Sequence, residues 1–132
     1  NSAMLKTGIL NPRLLALLAH VRHTNTLVIA DRGFPFWPQI ETVDLSIVDD
    51  LPTVLQVLAA VRGSCVIGKV WMAKEFLRVN DRRTQTRFVA ALKGASVKFE
   101  LHVDFKKRVP SAIGLIRTGD TTQYANMILE SA

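Results

Sequence analysis

The chain has 132 residues, 48% of them apolar, and no run near the ~20 apolar residues of a membrane span, so one soluble domain is expected and a membrane protein is not. The formal charge of +6 is uneven: residues 1–66 carry five cations and five anions, residues 67–132 twelve and six. A basic half can mark a nucleic-acid surface, but Arg78, Arg82, Arg83 and Arg87 fall at the spacing of one solvated helix with little aromatic interleaving, so no nucleic-acid partner is expected.

Asn1-Ser2-Ala3 precede a Met and read as an expression remnant, which makes residues 4–132 the expected domain. Asn11-Pro12 is a helix start, Asn as cap and Pro where its missing N–H costs nothing; Leu14, Leu15, Leu17, Leu18 and Val21 give that helix a broad apolar side to about Val21. His23 follows at a helix-to-strand junction. Leu27-Val28-Ile29-Ala30 is a branched apolar run, suited to a strand buried on both faces, and Asp31 closes it where open α/β sheets form their crevices. A His before a strand and an Asp after one also serve as plain turn residues.

Arg32 to Pro38 holds two prolines and three aromatics and predicts a rigid loop with an aromatic wall, fit for a sugar face, a nucleobase or a subunit contact. Thr42 to Ile47 alternates as a short strand, Pro52 opens a helix ending near Gly63, and Cys65 to Ala73 is a strand interrupted at Gly68-Lys69. Cys65, the single cysteine, reads as a small hydrophobe and points to a reducing, cytoplasmic setting. Asn80 or Asp81 caps a basic helix to about Leu92. Val97 to Leu101 alternates and delivers His102, Phe105 to Arg108 makes a helical turn before Pro110, Ala112 to Ile116 is a buried strand, and an apolar strand ends the tail. This order predicts a single-domain, three-layer α/β/α sandwich on a mostly parallel, mixed sheet.

Phosphate loops, Cys-x-x-Cys pairs and the Gly-x-Ser-x-Gly elbow are absent, so nucleotide-driven and Ser or Cys nucleophilic chemistry lack support. His20 and His23, with Asp31 or His102, make only a weak metal pattern, and no metal is expected. What remains are His23, Asp31, His102, Lys106, Tyr124 and Asn126: acids, bases and neutral hydrogen-bonding groups suited to holding a polyhydroxylated ligand while protons move on it. Each also has a plain use, as turn residue, solvated cation, core edge or cap.

Met4-Leu5-Lys6, His23-Thr24-x-Thr26-Leu27-Val28, Asp31-x-Gly33-x-Pro35, Val43-Asp44-Leu45, Pro52 with Gln56-Val57-Leu58, His102-x-x-Phe105-Lys106, Ile116 to Gly119 and Tyr124-Ala125-Asn126-x-Ile128-Leu129 resemble, in order, the D-ribose pyranase and L-fucose mutarotase family. The resemblance implies a sugar isomerase without cofactor that interconverts cyclic forms of a monosaccharide. It also implies a ring-shaped homo-oligomer, an octamer or decamer, with the pocket shared between subunits. By position His23 matches the family's proton donor, while Asp31, His102, Lys106, Tyr124, Ala125 and Asn126 match substrate-contacting positions. Arg22 stands where Gly usually precedes the His, and Asn25 replaces an acidic residue. Leu27-Val28 and Asp44-Leu45 are closer to the ribose branch and Phe34-Pro35 to the fucose branch, so the sugar stays open. From a different class, the same pocket would serve a sugar-binding accessory protein without turnover.

Overall fold

A computed structural model describes residues 5, 6 and 8–132; the expected start at Met4 lies outside the described residues. Helix α1 (Pro12–Ala19) leads to strand β1 (Thr26–Ala30) and strand β2 (Glu41–Asp44). Helix α2 (Val54–Arg62), strand β3 (Ile67–Ala73) and helices α3 (Glu75–Val79) and α4 (Arg82–Ala91) follow. Strand β4 (Ser96–Glu100), helix α5 (His102–Arg108), a 3-10 turn (Val109–Ser111), strand β5 (Gly114–Arg117) and strand β6 (Met127–Ser131) complete the chain. The strands form one sheet in the order β2-β5-β1-β6-β3-β4. β6 runs antiparallel to both β1 and β3, whereas the pairs β2–β5, β1–β5 and β3–β4 are parallel. Five strands therefore end on one edge of the sheet, and β6 begins there.

The layers follow from side-chain alternation. Leu27, Ile29, Met72, Ile116, Met127 and Leu129 meet α1, α2 and α4 on one face. Val28, Ala30, Trp71, Leu115 and Ile128 meet Phe105, Val109 and Phe34 on the other. This is the expected α/β/α sandwich. Each fully buried Leu or Ile in it contributes about 1.5–3 kcal/mol relative to exposure.

Local chemistry sets the boundaries. Asn11 accepts the Leu14 N–H at 2.9 Å, capping α1 as its sequence predicts, but the helix stops at Ala19, short of Val21. There Arg22 donates through Nη1 to the Ala19 and Val21 carbonyls, and Asn25 Oδ1 accepts the Arg22 N–H at 2.8 Å. The two unusual residues around His23 thus close a helix and shape a turn. Pro52 does not open α2: its peptide bond is cis, and Thr53 caps the helix through a reciprocal capping box with Gln56. Gly68 does not break β3 but marks a register shift against β6. The described residues include no helix long and apolar enough to cross a membrane.

The segment after β5 is tightly packed. Gly119 donates to the Pro52 carbonyl at 2.9 Å, and a Cβ placed on it would strike the Val48 carbonyl oxygen. Gly119→Ala is therefore expected to lower the unfolding free energy by about 2–3 kcal/mol in denaturant titrations. Gly33→Ala, whose Cβ would meet nothing nearer than Asp31 Oδ1 at 3.9 Å, should stay within about 0.5 kcal/mol.

Candidate active site at the carboxyl edge of the sheet

Asp31 leaves the sheet at the carboxyl end of β1. Its own N–H is held by Asn126 Oδ1 at 2.7 Å, across 95 residues of chain, because antiparallel β6 starts where β1 ends. Its carboxylate accepts the Gly33 N–H at 3.0 Å, turning the chain into the Pro-rich loop. Arg117, the last residue of β5, donates to the carbonyls of Asp31, Arg32 and Pro35 and clamps that loop.

From the other side, α5 begins at His102, so this residue lies on a first helical turn and not at a strand end. Its ring packs edge-on to Tyr124 at 5.1 Å and to Phe34 at 6.1 Å, and stacks on Phe105 at 5.9 Å. Tyr124 adopts a positive φ of 56°, which re-aims the chain between the Gly119 corner and β6. Asp31, Gly33, Phe34, Pro35, His102, Gln123, Tyr124 and Asn126 together line a cavity of about 360 Å³.

The two titratable groups facing each other here are displaced in opposite directions. Burial raises Asp31 above its ordinary 3.8, opposed by the Gly33 and Phe34 N–H groups and the Asn126 amide, and aided by the charge of Asp120. Burial, then Lys106, pushes His102 below its ordinary 6.5, against the pull of Glu75 and Asp31. The imidazole is thereby neutral near pH 7, able to donate from one nitrogen and accept at the other. His102 Nδ1 is buried with no hydrogen-bond partner among the described residues.

Of the residues singled out in the sequence, Asp31, His102, Tyr124 and Asn126 meet on this cavity. Lys106 sits one helical turn beyond His102 and acts on it through charge without lining the cavity, and Ala125 is fully buried in the core. His23 is exposed at the opposite end of β1, where Thr24 donates to the Ser131 carbonyl; at ~3.3 Å per residue that strand alone separates them by roughly 16 Å. The aromatic wall is partly realised: Phe34 lines the cavity and stacks on Trp37, but Phe36 is 68% exposed. Gln123 carried no signal beyond standing next to Tyr124, and Glu75, 27 residues before His102, carried none. Among the described residues no group of three His, Cys, Asp or Glu side chains is placed to hold a metal ion.

The profile of the RbsD / FucU transport protein family matches residues 4–132. The chain is 38% identical over 128 residues to a D-ribose pyranase from Bacillus cytotoxicus, 97% of each chain being covered. It is 41% identical over 128 residues to one from Geobacillus kaustophilus, covering 97% of this chain and 93% of that one. Among solved structures it resembles Bacillus subtilis RbsD complexed with D-ribose, with a TM-score of 0.89, 32% identity and 98% of both chains covered. It shares the fold of a Streptococcus pneumoniae fucose mutarotase in complex with L-fucose, with a TM-score of 0.78, 19% identity and coverage of 96% and 94%.

The displacement of Asp31 has a thermodynamic sign. A carboxyl whose folded value is raised contributes stability that is full below its unfolded value, here 3.8, and lost as pH rises through the folded value. Asp31→Asn keeps an oxygen for the Gly33 N–H and removes the buried charge. The variant is expected to melt above the wild type at pH 7 and to lose that advantage at about pH 3.5, read by thermal denaturation at both pH values.

Proposed function

The chain belongs to the RbsD / FucU transport protein family, and from that premise we infer that it is a sugar pyranase or mutarotase, an isomerase interconverting cyclic forms of a monosaccharide. What carries the reading to a site is the convergence of Asp31, His102, Tyr124 and Asn126 on one cavity of sugar size. D-ribose is the substrate we propose, since the relatives with 38% and 41% identity are D-ribose pyranases whereas the fucose mutarotase shares only the fold.

Ring opening requires a proton delivered to the ring oxygen and a proton taken from the anomeric hydroxyl; the carbon–oxygen ring bond breaks as the carbonyl forms, and reclosure reverses the transfers. Asp31 and neutral His102 are the groups in the cavity able to accept from sugar hydroxyls, and the Tyr124 hydroxyl and Asn126 amide are able to donate. His23 is the proton donor we propose, and its exposed position at the far end of β1 supports a reading in which it serves the cavity of a neighbouring subunit. A ring-type homo-oligomer in which each pocket takes Asp31 and His102 from one copy and His23 from the next reconciles that role with the strand that separates them. Lys106 and Ala125 then act behind the wall, Lys106 by charge and Ala125 by seating the main chain.

Magnetisation-exchange NMR on pyranose and furanose forms of D-ribose tests this directly. Catalytic amounts of protein should speed exchange, and His23→Ala and Asp31→Asn should each lower the rate roughly 10²-fold or more. Refolding the two variants together should restore activity to about a quarter of the sites, since a shared pocket then finds both intact partners. Binding without any acceleration by the wild type would overturn the isomerase reading, and a mixture no better than its parts would overturn the shared pocket.

A further inference from the structure

Helix α3, which the sequence did not reveal, touches both walls of the cavity without lining it. Glu75, its first residue, accepts the His102 N–H with both carboxylate oxygens, at 3.0 and 3.2 Å. At the other end Asn80 donates to the Gln123 carbonyl at 2.9 Å and to the Phe76 carbonyl at 3.0 Å. Phe76 is 1% exposed and packs on Phe88 of α4 at 4.8 Å, so the helix is anchored in the core while its two ends hold His102 and Gln123. α5 has no cap from its own preceding residue, Leu101, and Glu75 fills that place.

We propose that Glu75 is a positioning residue for His102, fixing the start of α5 so that the imidazole faces the sugar and setting the charge it sees. This rests on the reading of His102 as a sugar-contacting group. The charged groups that act on the imidazole are Glu75 from α3, Asp31 from β1 and Lys106 from α5 itself, with the Tyr124 ring against it from the segment before β6. The two anions favour the imidazolium and Lys106 and burial disfavour it. Glu75 thus has two separable effects, one geometric through the His102 N–H and one electrostatic.

Glu75→Gln keeps an oxygen for the N–H and removes the charge; Glu75→Ala removes both. The imidazole proton resonances of the free protein, with His102 assigned by its loss in His102→Ala, give its titration midpoint. Exchange kinetics with D-ribose give kcat and KM. Glu75→Gln should move the His102 midpoint to lower pH and carry the acid limb of the exchange profile with it, leaving KM within about twofold. Glu75→Ala should in addition raise KM roughly tenfold. If both variants only lower the melting temperature, leaving the midpoint and the pH profile unmoved, Glu75 is a structural cap and the proposal is overturned. An exchange rate unchanged in His102→Ala would instead remove His102 from the sugar site, an outcome separate from any movement of the midpoint.

Discussion

One constraint organises this molecule: β6 is inserted antiparallel between β1 and β3 in an otherwise parallel sheet. The chain, already at the carboxyl edge when β5 ends, must therefore cross over the end of β1 along that edge to enter β6. That crossing, residues 118–126, is held by inward-pointing Thr118, Asp120 and Asn126. Thr118 donates to the Ala30 carbonyl at 2.8 Å, and buried Asp120 accepts the first N–H of α2 at 2.8 Å and the Thr122 N–H at 2.8 Å. The Arg32 N–H in turn reaches the Asp120 carbonyl. The segment bearing Tyr124, Ala125 and Asn126 is tied to β1, to α2 and, through Asn80, to α3. A parallel β6 would have placed those residues at the opposite edge, away from Asp31.

Electrostatics separates Asp31 from the carboxylates of turns and caps. Asp50 and Asp81 are exposed and lie below their ordinary values because each accepts N–H groups, from Thr121 and Thr84 respectively, in a turn and a helix cap. Asp31 accepts comparable hydrogen bonds yet is raised, because burial outweighs them. His102 moves the other way for the same reason. The cavity thus draws the titration of a carboxylate and an imidazole closer together.

Much of this was legible in the residues. Asn11-Pro12 specified a helix start, the Leu27–Ala30 run a strand buried on both faces, and Asp31 the crevice beyond it, since each depends on local chemistry alone. His102 was found as a candidate but misplaced, because the alternation of Val97 to Leu101 runs straight into a helix whose cap is supplied from α3, 27 residues earlier. α3 itself was invisible: five residues with one apolar anchor, Phe76, give no periodicity, and its worth lies in contacts distant in sequence. The separation of His23 from Asp31 follows from the same Leu27–Ala30 strand, which carries its two ends apart.

The grip of Arg117 on three carbonyls of the 31–35 loop has a consequence for how the cavity is used. A rim fixed from below, with Pro35 limiting its own torsions and Phe34 wedged against Phe105, has already surrendered its conformational entropy during folding. In the proposed site, an arriving sugar would meet a rim that has no ordering left to undergo. For a reaction whose substrate and product are forms of the same molecule, such a preformed mouth lets encounter and escape keep pace with the chemistry inside.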